Sequence, residues 1–212
     1  MIVTNAVSDY LASVREQPDP VLAEMEERGA REGIPIVVPE TGALLHVLAL
    51  CRGAHRIVEV GTAIGVSTLY LARALPDGGV VVSFEVDPER HAGAREYLDR
   101  AGVLDRTDLR LQDAREGLAS LEGPFDMAFI DGVKQQYGDY FDAVLPLLES
   151  GAVLAVDNVL MSGTVADGRS NGHWTDEQIA SARAFNRRLL DHEELVGTVT
   201  PVGDGVLVAV RR

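Results

Sequence analysis

The chain is short of several things at once. Of its 19 Lys and Arg residues only one, Lys134, is lysine, and 33 Asp and Glu bring the formal net charge to −14. A surface so acidic lacks the clustered cations that a phosphate backbone or an anionic bilayer requires, so no nucleic acid and no membrane is expected as a partner. One cysteine, Cys51, excludes an internal disulfide and a thiolate zinc site. It closes the apolar run "LLHVLALC" and is expected to be a buried structural thiol. No window approaches the roughly 18 uninterrupted apolar residues that cross a bilayer. The opening "MIVTNAVSDYLASVREQPDP" has no cationic lead before an apolar stretch, so no secretory signal is expected and the chain reads as cytoplasmic.

What is present is ordinary for a globular protein: 212 residues, 46% hydrophobic and 25% charged. One domain over 1–212 is expected, with a helical segment to residue 55 and a sheet core from 56 onward. Short apolar runs at 56–60, 80–86, 108–113, 125–131 and 152–158 read as strands, most of them apolar throughout and so covered on both faces. Amphipathic runs at 67–75, 88–102, 114–121 and 137–148 read as the helices between them. That alternation predicts an α/β fold with a doubly wound, mostly parallel sheet. A helix at 175–192, capped by Thr175 with Gln178 three residues on, leads into "LVGTVTPVGDGVLVAVRR", two strands joined at "VGDG". The last of the resulting seven strands should run antiparallel. Before the sheet, helices are expected at roughly 6–16, 19–32 and 40–52, with "IPIVVPETG" (34–42) extended.

Two groups of residues carry chemistry. In "VEVGTAIGVST" (58–68) Gly61 permits a sharp turn, Gly65 lets backbone approach a ligand, and Ser67 can cap the following helix. Glu59, an acid inside an apolar strand, is costly to bury unless it binds something. Glu85 ends strand two, where a carboxylate can accept from a ribose diol. The loop lacks the middle glycine of a dinucleotide fingerprint, so together these residues describe an adenosine site, and not clearly a dinucleotide one. At the far strand ends stand Asp131 and the pair Asp157-Asn158. Each acid alone is commonly a turn or cap residue; together they are hard oxygen ligands suited to Mg²⁺. Lys134, three residues after Asp131, reaches the same crevice. A lone surface lysine in an Arg-rich chain is an equally open reading until those acids join it, but a lysine beside a cation can give up its proton, which arginine cannot.

With "EVGTAIGVST", "FEVD", "FIDGVK", "DNVLMSG" and "PVGDG" in this order, the chain resembles the cation-dependent class I S-adenosylmethionine O-methyltransferases, closest to the caffeoyl-CoA and catechol group. The resemblance implies a Rossmann-like fold and a cofactor site of Glu59, Gly61 and Ser67 at the methionine end, Glu85 at the ribose, Ala114 at the adenine and Val37 from the N-terminal segment, with Asp131 also near the cofactor. It implies Asp131, Asp157 and Asn158 as ligands of a divalent cation, Mg²⁺ with Ca²⁺ or Mn²⁺ open, Lys134 as catalytic base, and a homodimer. Two departures stand out: Val133 replaces the second acid of the plant D-A-D-K motif, and Met161-Ser162 replace Trp-Asn. Residues 1–51 hold three arginines against eight acids, which disfavours an anionic CoA thioester and favours a small neutral phenol with vicinal hydroxyls.

The loop "SGTVADGRSNGHW" (162–174) is expected over the crevice, with Met161, Ser162 and Trp174 against the substrate. His173 is expected to be structural or exposed, and His55, His91 and His192 to lie at the surface. Tyr137 and Tyr140 could line the site or pack. Three other functions share the crevice: a metal-independent O-methyltransferase, a non-catalytic S-adenosylmethionine-binding protein, and a nicotinamide-dependent oxidoreductase.

Overall fold

A computed structural model describes residues 5–212; the first four residues of the expected domain lie outside them. Seven strands form one sheet: β1 (Arg56–Val60), β2 (Val80–Glu85), β3 (Thr107–Leu111), β4 (Phe125–Ile130), β5 (Leu148–Val156), β6 (Leu195–Thr200) and β7 (Val206–Arg211). Their spatial order is β3-β2-β1-β4-β5-β7-β6. The first five pair in parallel, and β7 runs antiparallel to both of its neighbours, as the terminal hairpin predicts.

Helices α1 (Asn5–Val14), α2 (Pro20–Glu32) and α3 (Pro39–Arg52) precede the sheet, and α4 (Val66–Ala74), α5 (Pro88–Arg100), α6 (Ala114–Leu118), α7 (Tyr137–Val144), α8 (Thr164–Asp167) and α9 (Asp176–Leu190) follow within it. Strand alternation divides the core into two layers. Ile57, Val81, Met127 and Phe129 pack toward Leu45 of α3 and Leu69 of α4, while Val58, Phe84, Ala128 and Ile130 pack toward Tyr137 and Phe141 of α7. Strand β1 lies mid-sheet, where the chain turns outward first to β2 and then to β4, so the loops after β1 and β4 diverge to opposite faces and open a crevice at the strand tips.

Four expectations need correcting. Pro39 stands at the start of α3, a position its fixed φ favours, so the extended connector ends at Val38. Pro146 cannot continue α7; the helix stops at Val144, a 3₁₀ turn follows, and β5 begins at Leu148 rather than at 152. The cap of α4 is Gly65, with Ser67 already inside the first turn. Cys51 is exposed: Leu45 and Ala49 mark the inward stripe of α3, and a residue two positions past Ala49 falls on the opposite side.

Candidate active site

The crevice at the strand tips has a volume of ≈ 640 Å³ and is walled by Val37, Gly61, Ser67, Glu85, Ala114, Asp131, Lys134, Asp157, Asn158, Ser162 and Trp174, among others. Gly61 carries φ +98, and a Cβ there would collide with the Asp131 carbonyl oxygen, so this glycine lets the β1 and β4 tips approach. The loop after it is held by Glu85, whose carboxylate accepts from the backbone N–H of Ala63 (2.8 Å), Val86 and Asp87 (both 2.9 Å). Its Oε2, with one of these bonds, keeps acceptor capacity for a diol. Asp113 caps α6 through the Arg115 N–H (2.8 Å) and sets Ala114 in the crevice wall.

Glu59 does not reach the crevice wall. It pairs in register with Ser83 and is fully buried, with Oε2 accepting from Ser83 Oγ (2.6 Å) and Thr68 Oγ1 (2.5 Å). Its Oε1 has no partner, and burial pushes its carboxyl up against the opposing pull of the Ser67, Ser83 and Thr68 hydroxyls. The acid thus ties β1, β2 and the first turn of α4 together beneath the glycine loop.

The metal-ligand candidates meet. Asp131 N–H donates to the Val60 carbonyl (2.9 Å) and Asp157 N–H to the Ile130 carbonyl (3.0 Å), so the ladder continues past each strand and sets the two acids side by side, about 4.8 Å apart in backbone terms. Lys134 Nζ donates to Asp131 Oδ1 (2.8 Å), Asn158 Oδ1 (2.5 Å) and Tyr137 Oη (2.6 Å). Tyr137, buried, donates its O–H to the Asp157 carbonyl (3.1 Å), and burial followed by the charges of Asp131 and Asp157 holds its phenol well above the ordinary range. Asp157 Oδ1 is buried with no partner, and burial together with the Asp131 charge raises its carboxyl to about 7. Two carboxylates and an amide oxygen therefore gather around too little positive charge, a donor set that fits a divalent cation such as Mg²⁺. Among the described residues no group of three His, Cys, Asp or Glu is poised to hold a metal; this set depends on an amide.

Asn158 is aimed by a strained turn. Asn158, Met161 and Ser162 have φ of 57°, 47° and 56°, a region that side chains other than Asn seldom adopt. The terminal hairpin braces this turn: Val159 N–H donates to the Gly205 carbonyl (3.0 Å), Leu160 N–H to the Asp204 carbonyl (3.0 Å) and Ser162 N–H to Asp204 Oδ1 (2.5 Å). Asp204, read from sequence only as a hairpin turn, lines the crevice as well. Met161 is buried and faces a second, smaller cavity shared with Trp174, Tyr137 and Lys134. His173 is exposed at the crevice rim, its ring 4.6 Å edge-on to Trp174. Tyr137 both packs and touches Lys134, while Tyr140 bonds Gln136 Oε1 (2.5 Å) at the crevice edge.

A family model described as O-methyltransferase matches residues 12–212. The chain is 35% identical over 193 residues to a catechol O-methyltransferase of Niastella koreensis, covering 88% of this chain and 86% of that protein. It superposes with a TM-score of 0.85 on the O-methyltransferase of Bacillus cereus solved with S-adenosylhomocysteine (SAH), at 32% identity over 98% of this chain and 97% of that one. The O-methyltransferase of Streptomyces achromogenes involved in tomaymycin synthesis, solved with S-adenosylmethionine, superposes with a TM-score of 0.84 at 32% identity, over 98% and 96% of the two chains. The chain belongs to the O-methyltransferase family and is an S-adenosylmethionine-dependent O-methyltransferase.

Proposed function

We propose that this enzyme methylates one hydroxyl of a small neutral phenol bearing vicinal hydroxyls, in a reaction that depends on a divalent cation. The observation that carries this reading is the convergence of Asp131 and Asn158 on Lys134 beside an Asp157 oxygen that has no partner. When bound, S-adenosylmethionine supplies an electrophilic methyl on its sulfonium, and a divalent cation, Mg²⁺ with Ca²⁺ or Mn²⁺ as alternatives, supplies the charge that acidifies and orients two adjacent hydroxyls.

The residues of this chain do the rest. Asp131, Asp157 and Asn158 hold the cation. Val37, Gly61, Ser67, Glu85 and Ala114 hold the cofactor in the crevice, with Glu59 stiffening the loop from below. Lys134, whose Nζ lies beside Asp131 and Asn158, would give one ammonium proton to solvent and, as the free amine, take the phenolic proton, which restores the ammonium beside Asp131. Alignment of the attacking oxygen then falls to the crevice walls, a contribution that positioning alone can make large. Met161, Ser162 and Trp174 bound the phenol. The exposed Tyr10, Leu11 and Val14 of α1 with Val47 and Leu50 of α3 support a homodimer, and the acidic balance supports a cytoplasmic enzyme that needs neither nucleic acid nor membrane.

The test is methyl transfer from S-adenosylmethionine to pyrocatechol and to phenol, with and without EDTA. Product from pyrocatechol that EDTA abolishes and Mg²⁺ restores is the expected result. Turnover indifferent to EDTA would leave a metal-independent methyltransferase, and binding of S-adenosylmethionine without product would leave a binding protein.

A further inference from the structure

Beside the crevice lies a second cavity of ≈ 300 Å³, enclosed by the start of α7, the 158–161 turn and α9. It shares Lys134, Asn158 and Trp174 with the crevice, so the two meet at the proposed reaction centre. Its apolar wall is Met161, Tyr137 and Phe185, the two rings edge-on at 5.6 Å, and Gln135, Gln178 and Ser181 add neutral polar groups to the lining. Such a space admits one aromatic ring and a short substituent.

Two polar atoms interrupt that wall without partners. Asn186, on the buried side of α9 and 9% exposed, donates Nδ2 to the Val159 carbonyl (2.8 Å), which fixes its amide and leaves Oδ1 buried with nothing to accept from. The indole N–H of Trp174 is likewise buried and unpartnered. An orphaned buried amide oxygen is costly, and folded proteins keep one chiefly where something else supplies the missing hydrogen bond. The charge of the cavity says what kind. None of its lining residues is acidic; its two cations are Lys134 and Arg188, the latter already paired with Asp142. An ammonium would find no counter-charge there, whereas a neutral donor finds Asn186.

We propose that this cavity receives the ring substituent of the phenol, and that Asn186 Oδ1 selects a neutral substituent carrying a hydrogen-bond donor, a hydroxyl or a carboxamide, over alkyl and ammonium groups. A group that both donates and accepts also satisfies the Trp174 N–H. The assignment rests on the catechol reading above, since that reading brings the ring to Lys134 and Asn158.

The experiment compares 4-methylcatechol, 3,4-dihydroxybenzyl alcohol and 3,4-dihydroxybenzylamine in the whole enzyme with S-adenosylmethionine and Mg²⁺. It reads both kcat/KM and quenching of Trp174, the single tryptophan of the chain. The alcohol should exceed both other compounds about tenfold in each readout, the worth of one hydrogen bond to a group otherwise left unpaired. Asn186→Leu should level the alcohol with 4-methylcatechol without changing the KM for S-adenosylmethionine. Asn186→Asp, which keeps an acceptor should the leucine variant fail to fold, should retain the preference over 4-methylcatechol and raise the benzylamine about tenfold. Equal methylation of the alcohol and 4-methylcatechol by the native enzyme overturns the pocket and leaves the catechol reading intact. Asn186-dependent, selective quenching with no methylation supports the pocket and overturns that reading. Neither quenching nor methylation overturns both.

Discussion

Replacing Lys134 separates its two possible duties, proton acceptor and counter-ion. In the structure its ammonium bridges Asp131, Asn158 and the Tyr137 hydroxyl, with about a fifth of its side chain exposed. Lys134→Arg keeps a positive charge there but removes any group able to accept a proton near neutral pH. Loss of a general base costs about 10²–10⁴ in rate, or about 3–5 kcal/mol of transition-state stabilisation. Lys134→Met removes the charge as well. Without a cation it leaves Asp131 and Asn158 facing an apolar stem, and the lost charged hydrogen bonds should cost about 1–3 kcal/mol of folding stability, or about 2–4 °C in Tm for each kcal/mol in a domain of this size. The assay is initial-rate methylation of pyrocatechol at saturating S-adenosylmethionine, beside thermal unfolding in EDTA. The expected pattern is a large kcat loss in both variants, with a Tm loss confined to Met. Full activity in Lys134→Arg would remove the base assignment. A methionine variant that loses stability but keeps kcat would make Lys134 a counter-ion only.

Three further outcomes follow from the same geometry. Gly61→Ala must adopt φ +98 and press on the Asp131 carbonyl, so it should lose about 2–4 kcal/mol in urea unfolding; a loss below about 1 kcal/mol would show that the strand tips can part. Glu59 is raised by burial from 4.5, so the folded state holds a proton that the unfolded chain releases first. That contribution is complete below the unfolded pKa and is lost as pH rises toward the folded one. The Tm of Glu59→Gln should therefore gain on the native protein as pH rises above 4.5, the ordinary value of the carboxyl, and a constant difference would refute the assignment. Asp204→Ala removes the acceptor for Ser162 N–H and should lower kcat/KM for the phenol about tenfold, while the Kd for S-adenosylmethionine stays unchanged.

How far the sequence revealed this molecule depends on what kind of constraint each residue answers to. Strands β1, β2 and β4 were legible because burial on both faces leaves little choice but apolar residues. The start of β5 was not: "LPLLES" serves as the end of a helix or the start of a strand, and only Pro146 tips it. Glu59 announced that it needed partners, but period-two alternation sets it on the face of Ile57 and Ser83, toward α4 and away from the crevice wall. Asp131, Asp157, Asn158 and Lys134 were legible as a group because strand tips converge whatever the side chains are. Asn186 carried no signal, since a polar residue on an amphipathic helix reads as solvent-facing until Val159 is seen to claim its Nδ2.

The site is thus built on two tiers of different rigidity. Backbone bonds from Asp131 to Val60 and from Asp157 to Ile130 make the two aspartates extensions of the sheet, so their backbones cannot part unless β1, β4 and β5 shift together. Asn158 belongs to the other tier. Its placement rests on a left-handed turn held by Gly205 and Asp204, and the residues of that turn, with α9 behind it, also wall the smaller cavity. Changes in the turn can reshape the smaller cavity while the backbones of the paired aspartates stay in place, and the two cavities share Lys134, Asn158 and Trp174. A fold arranged this way can keep its paired aspartates in place while the smaller cavity beside them changes shape, and Met161 and Ser162 fall in the turn that is free to vary.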